Sequence, residues 1–91
     1  MTDSFDASYY EDVRGRVRGV LISVADVVPR EKLAFIEELI DHNEPGIALE
    51  MLVDLMIQRG YKPGPQIVED ARRAAKAMAM ELPDIDQLEK P

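Results

Sequence analysis

Four stretches in which apolar residues recur at steps of three or four constrain the fold of this chain more than any other feature. Such spacing places the apolar side chains on one face of an α-helix. Breaks rich in proline and glycine separate the stretches, at Pro29, at residues 43–46 and at residues 62–65. No segment alternates as a strand does. The sequence therefore predicts an all-α fold, a small bundle of about four helices joined by short connections.

The first predicted helix begins near Tyr9, because Ser8 and Glu11 have the spacing of a capping box. It runs to about Val27. The apolar stripe that we expect it to bury consists of Val13, Val17, Val20, Leu21 and Val24.

A proline marks the start of both the second and the third predicted helix. Pro29 suits the first turn of the second helix, which ends near His42, where the imidazole is placed to cap the C-terminus. Pro45 opens the third helix, and Gly60 is placed to stop it. The expected buried residues are Leu33, Ile36, Leu39 and Ile40 in the second helix, and Ala48, Leu49, Met51, Leu52, Leu55 and Met56 in the third.

The fourth predicted helix is rich in alanine and ends at Pro83. Its small side chains allow a neighbouring helix to approach closely. The apolar face consists of Ile67, Val68, Ala71, Ala74, Ala75, Met78 and Leu82. We expect residues 1–91 to form a single helical domain in which residues 1–7 and 83–91 are loosely held tails.

The residue inventory argues against catalysis. There is one histidine, no cysteine, and no phosphate-binding or zinc-protease motif, so a nucleophile and a base are hard to assemble. We therefore predict a protein that is not an enzyme, with no cofactor and no metal site. The absence of cysteine fits a cytoplasmic location, and no apolar run is long enough to span a membrane.

The negative charge is concentrated in the middle of the chain. The net charge is −7, and residues 31–54 hold seven acidic residues against a single base. Glu37 and Asp41 share a helix face, as do Glu50 and Asp54, and each pair repels by about 0.2–0.5 kcal/mol. Two interpretations are equally weighted: a solvated face that favours solubility, or a patch that attracts a basic partner.

A basic cluster on the fourth helix has a simpler interpretation. Arg72, Arg73 and Lys76 follow Glu69 and Asp70, which predicts an exposed face of ion pairs at a spacing of four. Because the whole domain is acidic, it would be repelled by phosphates, and we expect no direct binding to nucleic acid.

Residues 38–52, ELIDHNEPGIALEML, resemble the MafI-type immunity proteins, a group that includes immunity partners from contact-dependent growth-inhibition systems. The pattern is an apolar residue, a polar turn with a Glu, a small residue, and an Ala-x-Glu-x-Leu helix. It falls here on Ile40, Glu44, Gly46, Ala48, Glu50 and Leu52. The resemblance implies a small helical protein that binds and neutralises a cognate toxin, often a nuclease.

An acidic centre fits that implication, because a nuclease is basic where it holds phosphates. The expected partner-binding residues are Glu37, Asp41, Glu44, Glu50 and Asp54. A purely structural interpretation of the motif stays open, in which Glu44 caps the third helix and Gly46 permits close packing. The alternative function is a non-catalytic helical interaction subunit or regulator. Self-association as a homo-oligomer is left open by the sequence.

Overall fold

A computed structural model describes residues 7–89, and within that range the chain is all-α with no strand. The prediction of a small helical bundle is confirmed. The α-helices are α1 (Ala7–Val24), α2 (Arg30–Asp41), α3 (Pro45–Gln58) and α4 (Pro65–Ala77), with short 3-10 helices at Ala25–Val27 and Pro83–Glu89. Residues 1–6 and 90–91, predicted as parts of the tails, lie outside the described residues.

The first helix buries the predicted stripe but starts earlier than predicted. Every stripe residue, from Val13 to Val24, is at most 2% exposed. The first described residue, Ala7, is already helical, so Ser8 lies within the helix and not at its N-cap, and the predicted capping box at Ser8 is wrong. After Val24 the chain tightens into a 3-10 turn that ends at Val27.

Helix α3 ends at the predicted glycine. Gly60 adopts the left-handed conformation, with φ of 66°. Its N–H donates to the carbonyl of Ile57 at 3.0 Å, and the N–H of Tyr61 donates to Met56 at 2.9 Å. These two bonds form a Schellman motif, which satisfies carbonyls that would otherwise be free at the helix end.

Helix α2 also ends in a Schellman motif, with asparagine as the residue in the left-handed conformation. Asn43 has φ of 63°, a conformation that asparagine tolerates better than most residues. Its N–H donates to Ile40, and the N–H of Glu44 donates to Leu39 at 2.7 Å. The turn is therefore tight, and α3 begins two residues later with Pro45 as its first residue, as predicted.

Helix α4 ends at Ala77, five residues before the predicted end at Leu82. Ala79 takes the left-handed conformation, with φ of 54°, and forms a third Schellman motif. Its N–H donates to Lys76 at 3.0 Å, while the N–H of Met80 donates to Ala75 at 2.9 Å. The chain reverses here, so Met78 and Leu82 are only partly buried and lie beyond the helix.

The core is formed where α1 packs mainly against α4 and α2 mainly against α3. Most predicted apolar positions contribute, and Leu52 and Met56 are fully buried. Val53, which was not predicted, is also fully buried, whereas Met51 and Leu55 are half-buried. Within the described residues, none of the helices combines the length and the apolar character that crossing a bilayer requires.

The segment from Pro83 to Glu89 is held against the bundle, so the prediction of a loose tail is wrong for these residues. Ile85 and Leu88 are only 2% and 3% exposed and belong to the core. Apolar side chains three residues apart on a 3-10 helix lie on one face, which explains how so short a segment buries both.

Arg72 also holds this segment in place. Its guanidinium donates to Asp86 at 2.8 Å and to Glu89, and these hydrogen bonds, the one to Asp86 first, raise the pKa of Arg72 above its ordinary value. The predicted pairing of Arg72 with acids of its own helix is therefore wrong. Arg73 does pair with Glu69, at 2.8 Å.

Candidate functional site

A surface pocket of about 370 Å³ lies where three chain segments meet. The start of α1, the turn between α2 and α3, and the turn after α4 each supply part of its lining. The lining residues are Tyr9, Tyr10, Val13, Asn43, Glu44, Pro45, Gly46, Ile47, Glu50, Met78 and Met80. A pocket of this size is at the lower end of the range that protein sites for small ligands occupy.

Aromatic rings form one wall. The ring centroids of Tyr9 and Tyr10 are 5.3 Å apart at an interplanar angle of 74°, an edge-to-face arrangement that aromatic pairs favour. Both residues are half-buried. The two rings therefore give this part of the lining an aromatic character.

Methionine side chains form a second wall of the pocket, beside Gly46. A Cβ atom at this glycine would lie 3.2 Å from Sδ of Met80 and 3.9 Å from Sδ of Met78. Because Gly46 has no side chain, the methionines approach the backbone of α3 closely. Thioether side chains are flexible and polarisable, so this wall can adapt to an occupant.

Two carboxylates complete the pocket. Glu44 and Glu50 both line it and both are exposed. Within residues 7–89 neither of them takes part in an ion pair. Glu44 occupies the N-cap position of α3, yet its side chain makes no capping hydrogen bond, so the predicted capping role is wrong and the carboxylate is available to a ligand.

The other three predicted binding residues lie outside this pocket. Asp54 is exposed one turn beyond Glu50 on α3, and Glu37 is exposed on α2. Asp41 is held by Arg18, whose Nη2 lies 2.6 Å from Oδ1 of the aspartate. The structure therefore joins only Glu44 and Glu50 in one concave site.

Two arginines of α1 and the histidine fix the turn that forms the pocket edge. Arg18 binds Asp41, and Nη1 of Arg14 donates to Oδ1 of Asn43 at 3.3 Å. Nδ1 of His42 lies 2.9 Å from the carbonyl oxygen of Glu38. A carbonyl oxygen can only accept, so the imidazole donates, which agrees with its predicted capping role.

Sequence reasoning missed the aromatic wall, and for Met51, Met56, Met78 and Met80 it favoured a place in the core over an adaptable partner surface. The tyrosines mark only a helix start in the sequence, and the methionines suggest core residues; Met56 is fully buried, whereas Met78 and Met80 are half-buried at the pocket. The amphipathic character of the tyrosines is a signal in the sequence that they could line a binding surface. The methionines reach Glu50 only because the chain reverses at Ala79, and no local sequence pattern predicts that reversal.

Residues 7–89 contain no cluster of three or more His, Cys, Asp or Glu arranged to hold a metal ion. No family model, no curated protein and no solved structure matches this chain. Its function is therefore argued from the chemistry of the pocket and of the acidic surface.

Proposed function

We propose that this chain is an immunity protein that binds and neutralises a cognate toxin with a basic, nuclease-like domain in the cytoplasm. The observation that supports it is the pocket lined by two carboxylates, Glu44 and Glu50, that take part in no ion pair among residues 7–89. Both lie within residues 38–52, the segment that resembles the MafI-type immunity proteins. The acidic surface continues to Asp54 on α3.

Neutralisation of this kind needs binding but no chemistry. A nuclease holds its substrate through lysine and arginine contacts to phosphates, and a carboxylate surface that covers those residues excludes the substrate. Charge complementarity also accelerates encounter between the two proteins. This chain of 91 residues is small, and its net charge of −7 is opposite in sign to that of a basic toxin domain.

Co-expression tests the proposal directly. The reading frame next to this gene is expressed with and without this chain, and growth is scored; the proposal requires that this neighbour be toxic on its own. We expect the chain to restore growth. The double variant Glu50→Lys with Asp54→Lys should abolish protection, because two attractive charges become repulsive. Both side chains are exposed, so the fold should change in stability by no more than about 0.5 kcal/mol.

A matched control carries the same change of charge elsewhere. Asp26 and Glu31 are exposed near the start of α2, at the end of that helix away from the turn that forms the pocket edge. Reversing both to lysine should leave protection intact. Arg72 is unsuitable as a control because it binds the C-terminal 3-10 helix. Should a folded Glu50 and Asp54 reversal protect as well as the parent, the acidic surface serves only solubility.

Association kinetics give a second readout. Screening of long-range attraction predicts that the association rate of the parent chain falls markedly between low and physiological salt. The Glu50 and Asp54 reversal should associate slowly at every salt concentration, whereas the Asp26 and Glu31 reversal should follow the parent curve. Equal salt dependence for all three proteins would contradict electrostatic steering by α3.

The alternative is a non-catalytic helical interaction subunit or regulator. Ile22, which is 69% exposed, and Phe35, which is 48% exposed, are apolar side chains outside the pocket that such a role would use. An adjacent frame ending in a variable toxin-like domain supports the immunity proposal. A gene beside a multisubunit enzyme supports the alternative.

A further inference from the structure

We propose that the pocket is a receptor for one arginine side chain presented by the partner protein. This inference rests on the proposed function, because it names the chemical group that the basic toxin inserts. The pocket combines three features that suit a guanidinium: the tyrosine wall, the methionine wall and the carboxylates of Glu44 and Glu50.

Arginine fits these walls better than lysine does. Its guanidinium is planar, stacks on aromatic faces and presents a fork of donors to carboxylates. It is also more weakly hydrated than an ammonium group, so it enters a partly apolar pocket at lower cost. The methylene stem of the side chain can pack against Met78 and Met80, whose thioethers accommodate irregular shapes.

Charge complementarity favours a cation as the occupant. Within residues 7–89, Glu44 and Glu50 take part in no ion pair, as is also true of Glu37, Glu38 and Asp54, but Glu44 and Glu50 are the ones that line the pocket. A cation from outside supplies the missing partner.

The shape of the pocket depends on the absence of a side chain at Gly46. Methyl addition there would bring carbon within 3.2 Å of Sδ of Met80, a contact that forces the flexible methionine to move. The Gly46→Ala variant should therefore keep the fold and alter the methionine wall. It provides a perturbation of shape that leaves both carboxylates unchanged.

The test uses the full chain and three blocked tripeptides of the form acetyl-Gly-X-Gly-amide, with X as arginine, lysine or citrulline. Nuclear magnetic resonance titrations follow backbone amide shifts. The arginine peptide should shift the amides of Gly46, Ile47 and Met80, with a dissociation constant in the millimolar range for so small a ligand. Lysine should bind several-fold more weakly, and citrulline, which is uncharged, about tenfold more weakly.

Two isosteric variants separate the pocket from the general acidic surface. Glu50→Gln should weaken binding of the arginine peptide by about three- to tenfold. Glu38→Gln removes the same charge from an exposed site on α2 outside the pocket and should leave the dissociation constant within about twofold. Gly46→Ala should weaken binding while the far-ultraviolet spectrum stays helical.

Several results would overturn the inference. One is an arginine peptide that shifts no pocket amide, and another is citrulline binding as tightly as arginine. A third is a Phe5→Ala variant that binds arginine more than tenfold better than the parent, which would assign the pocket to the chain's own N-terminal segment. Concentration-dependent dimerisation that Glu50→Gln abolishes would assign it to a second copy.

The inference and the proposed function can fail separately. If the arginine peptide binds as expected but the chain never restores growth in the co-expression test, the arginine pocket is supported and the immunity role is refuted. If the chain protects and the toxin complex forms, yet Glu50→Gln and Gly46→Ala bind the toxin as tightly as the parent, the immunity role stands and the arginine pocket falls.

Discussion

Replacing Ala79 by glycine should stabilise this protein, although the substitution removes a methyl group and adds no contact. Ala79 has φ of 54° at the end of α4, where its Cβ is crowded by the following carbonyl. The left-handed conformation costs an L-residue about 1–2 kcal/mol. Glycine avoids that cost but loses about 0.4–1 kcal/mol more conformational entropy on folding. The net expectation is a gain of about 0.5–1 kcal/mol in the free energy of unfolding.

The chain provides the reverse experiment and a control. Gly60 occupies the equivalent position at the end of α3, with φ of 66° and no atom within 4 Å of the place that a Cβ would take. Gly60→Ala should therefore destabilise by about 1 kcal/mol through conformation alone. Ala34 is exposed inside α2, where glycine is unfavourable, so Ala34→Gly should destabilise by about 0.5–1 kcal/mol.

Thermal and urea unfolding followed by circular dichroism measure all three variants. For a domain of this length about 1 kcal/mol shifts the midpoint by about 4–8 °C. Ala79→Gly should therefore raise Tm by about 2–8 °C, and the other two variants should lower it. A fall in Tm for Ala79→Gly similar to that of Ala34→Gly would show that residue 79 is helical, and the reversal after α4 would be refuted.

Two further predictions concern the core and the C-terminal 3-10 helix. Leu52→Ala should cost about 2–5 kcal/mol, because Leu52 is fully buried and its truncation leaves a cavity; a change below about 1 kcal/mol in urea unfolding would place the residue at the surface. Leu88→Ala should cost about 2–4 kcal/mol for the same reason, and Arg72→Gln should speed amide hydrogen exchange in residues 83–89. Unchanged stability together with unchanged exchange would mean that this helix contributes nothing to the fold.

Helix starts and stops were predicted well wherever a residue with a special backbone marks them. Pro45 and Gly60 bound α3 as expected, since proline suits a first turn and glycine suits the left-handed position. The end of α4 was predicted wrongly because Ala79 carries no such mark. Alanine and methionine favour helix, whereas the reversal is stabilised by its two Schellman hydrogen bonds and by the tertiary packing of Ile85 and Leu88.

The residues of the candidate site also differ in whether the local sequence or only the tertiary fold reveals them. Glu44 and Glu50 were predicted from the concentration of acidic residues, which is visible in the sequence alone. Tyr9 and Met80 are each about 30 or more positions from either glutamate, and no local pattern brings them together. These residues come together because of two turns that contain a residue in the left-handed conformation, Asn43 and Ala79. Asparagine often adopts this conformation, whereas alanine rarely does.

At the turn between α2 and α3, the carboxylate of Glu44 stands at a helix start without capping the helix. An N-cap side chain is normally recruited because the first turn of a helix leaves N–H groups without partners. Pro45, the first helical residue, has no N–H, which leaves the N–H groups of Gly46 and Ile47 as the targets of a cap, and the side chain of Glu44 bonds to neither. The N–H of Glu44 is already bound to Leu39, and the carbonyl of Glu44 accepts from Ala48. The backbone of Glu44 therefore serves the turn, while its side chain makes no capping bond. The fold and the proposed arginine pocket consequently use different atoms of the same residue, so Glu44→Gln should weaken arginine binding without a matching loss of stability.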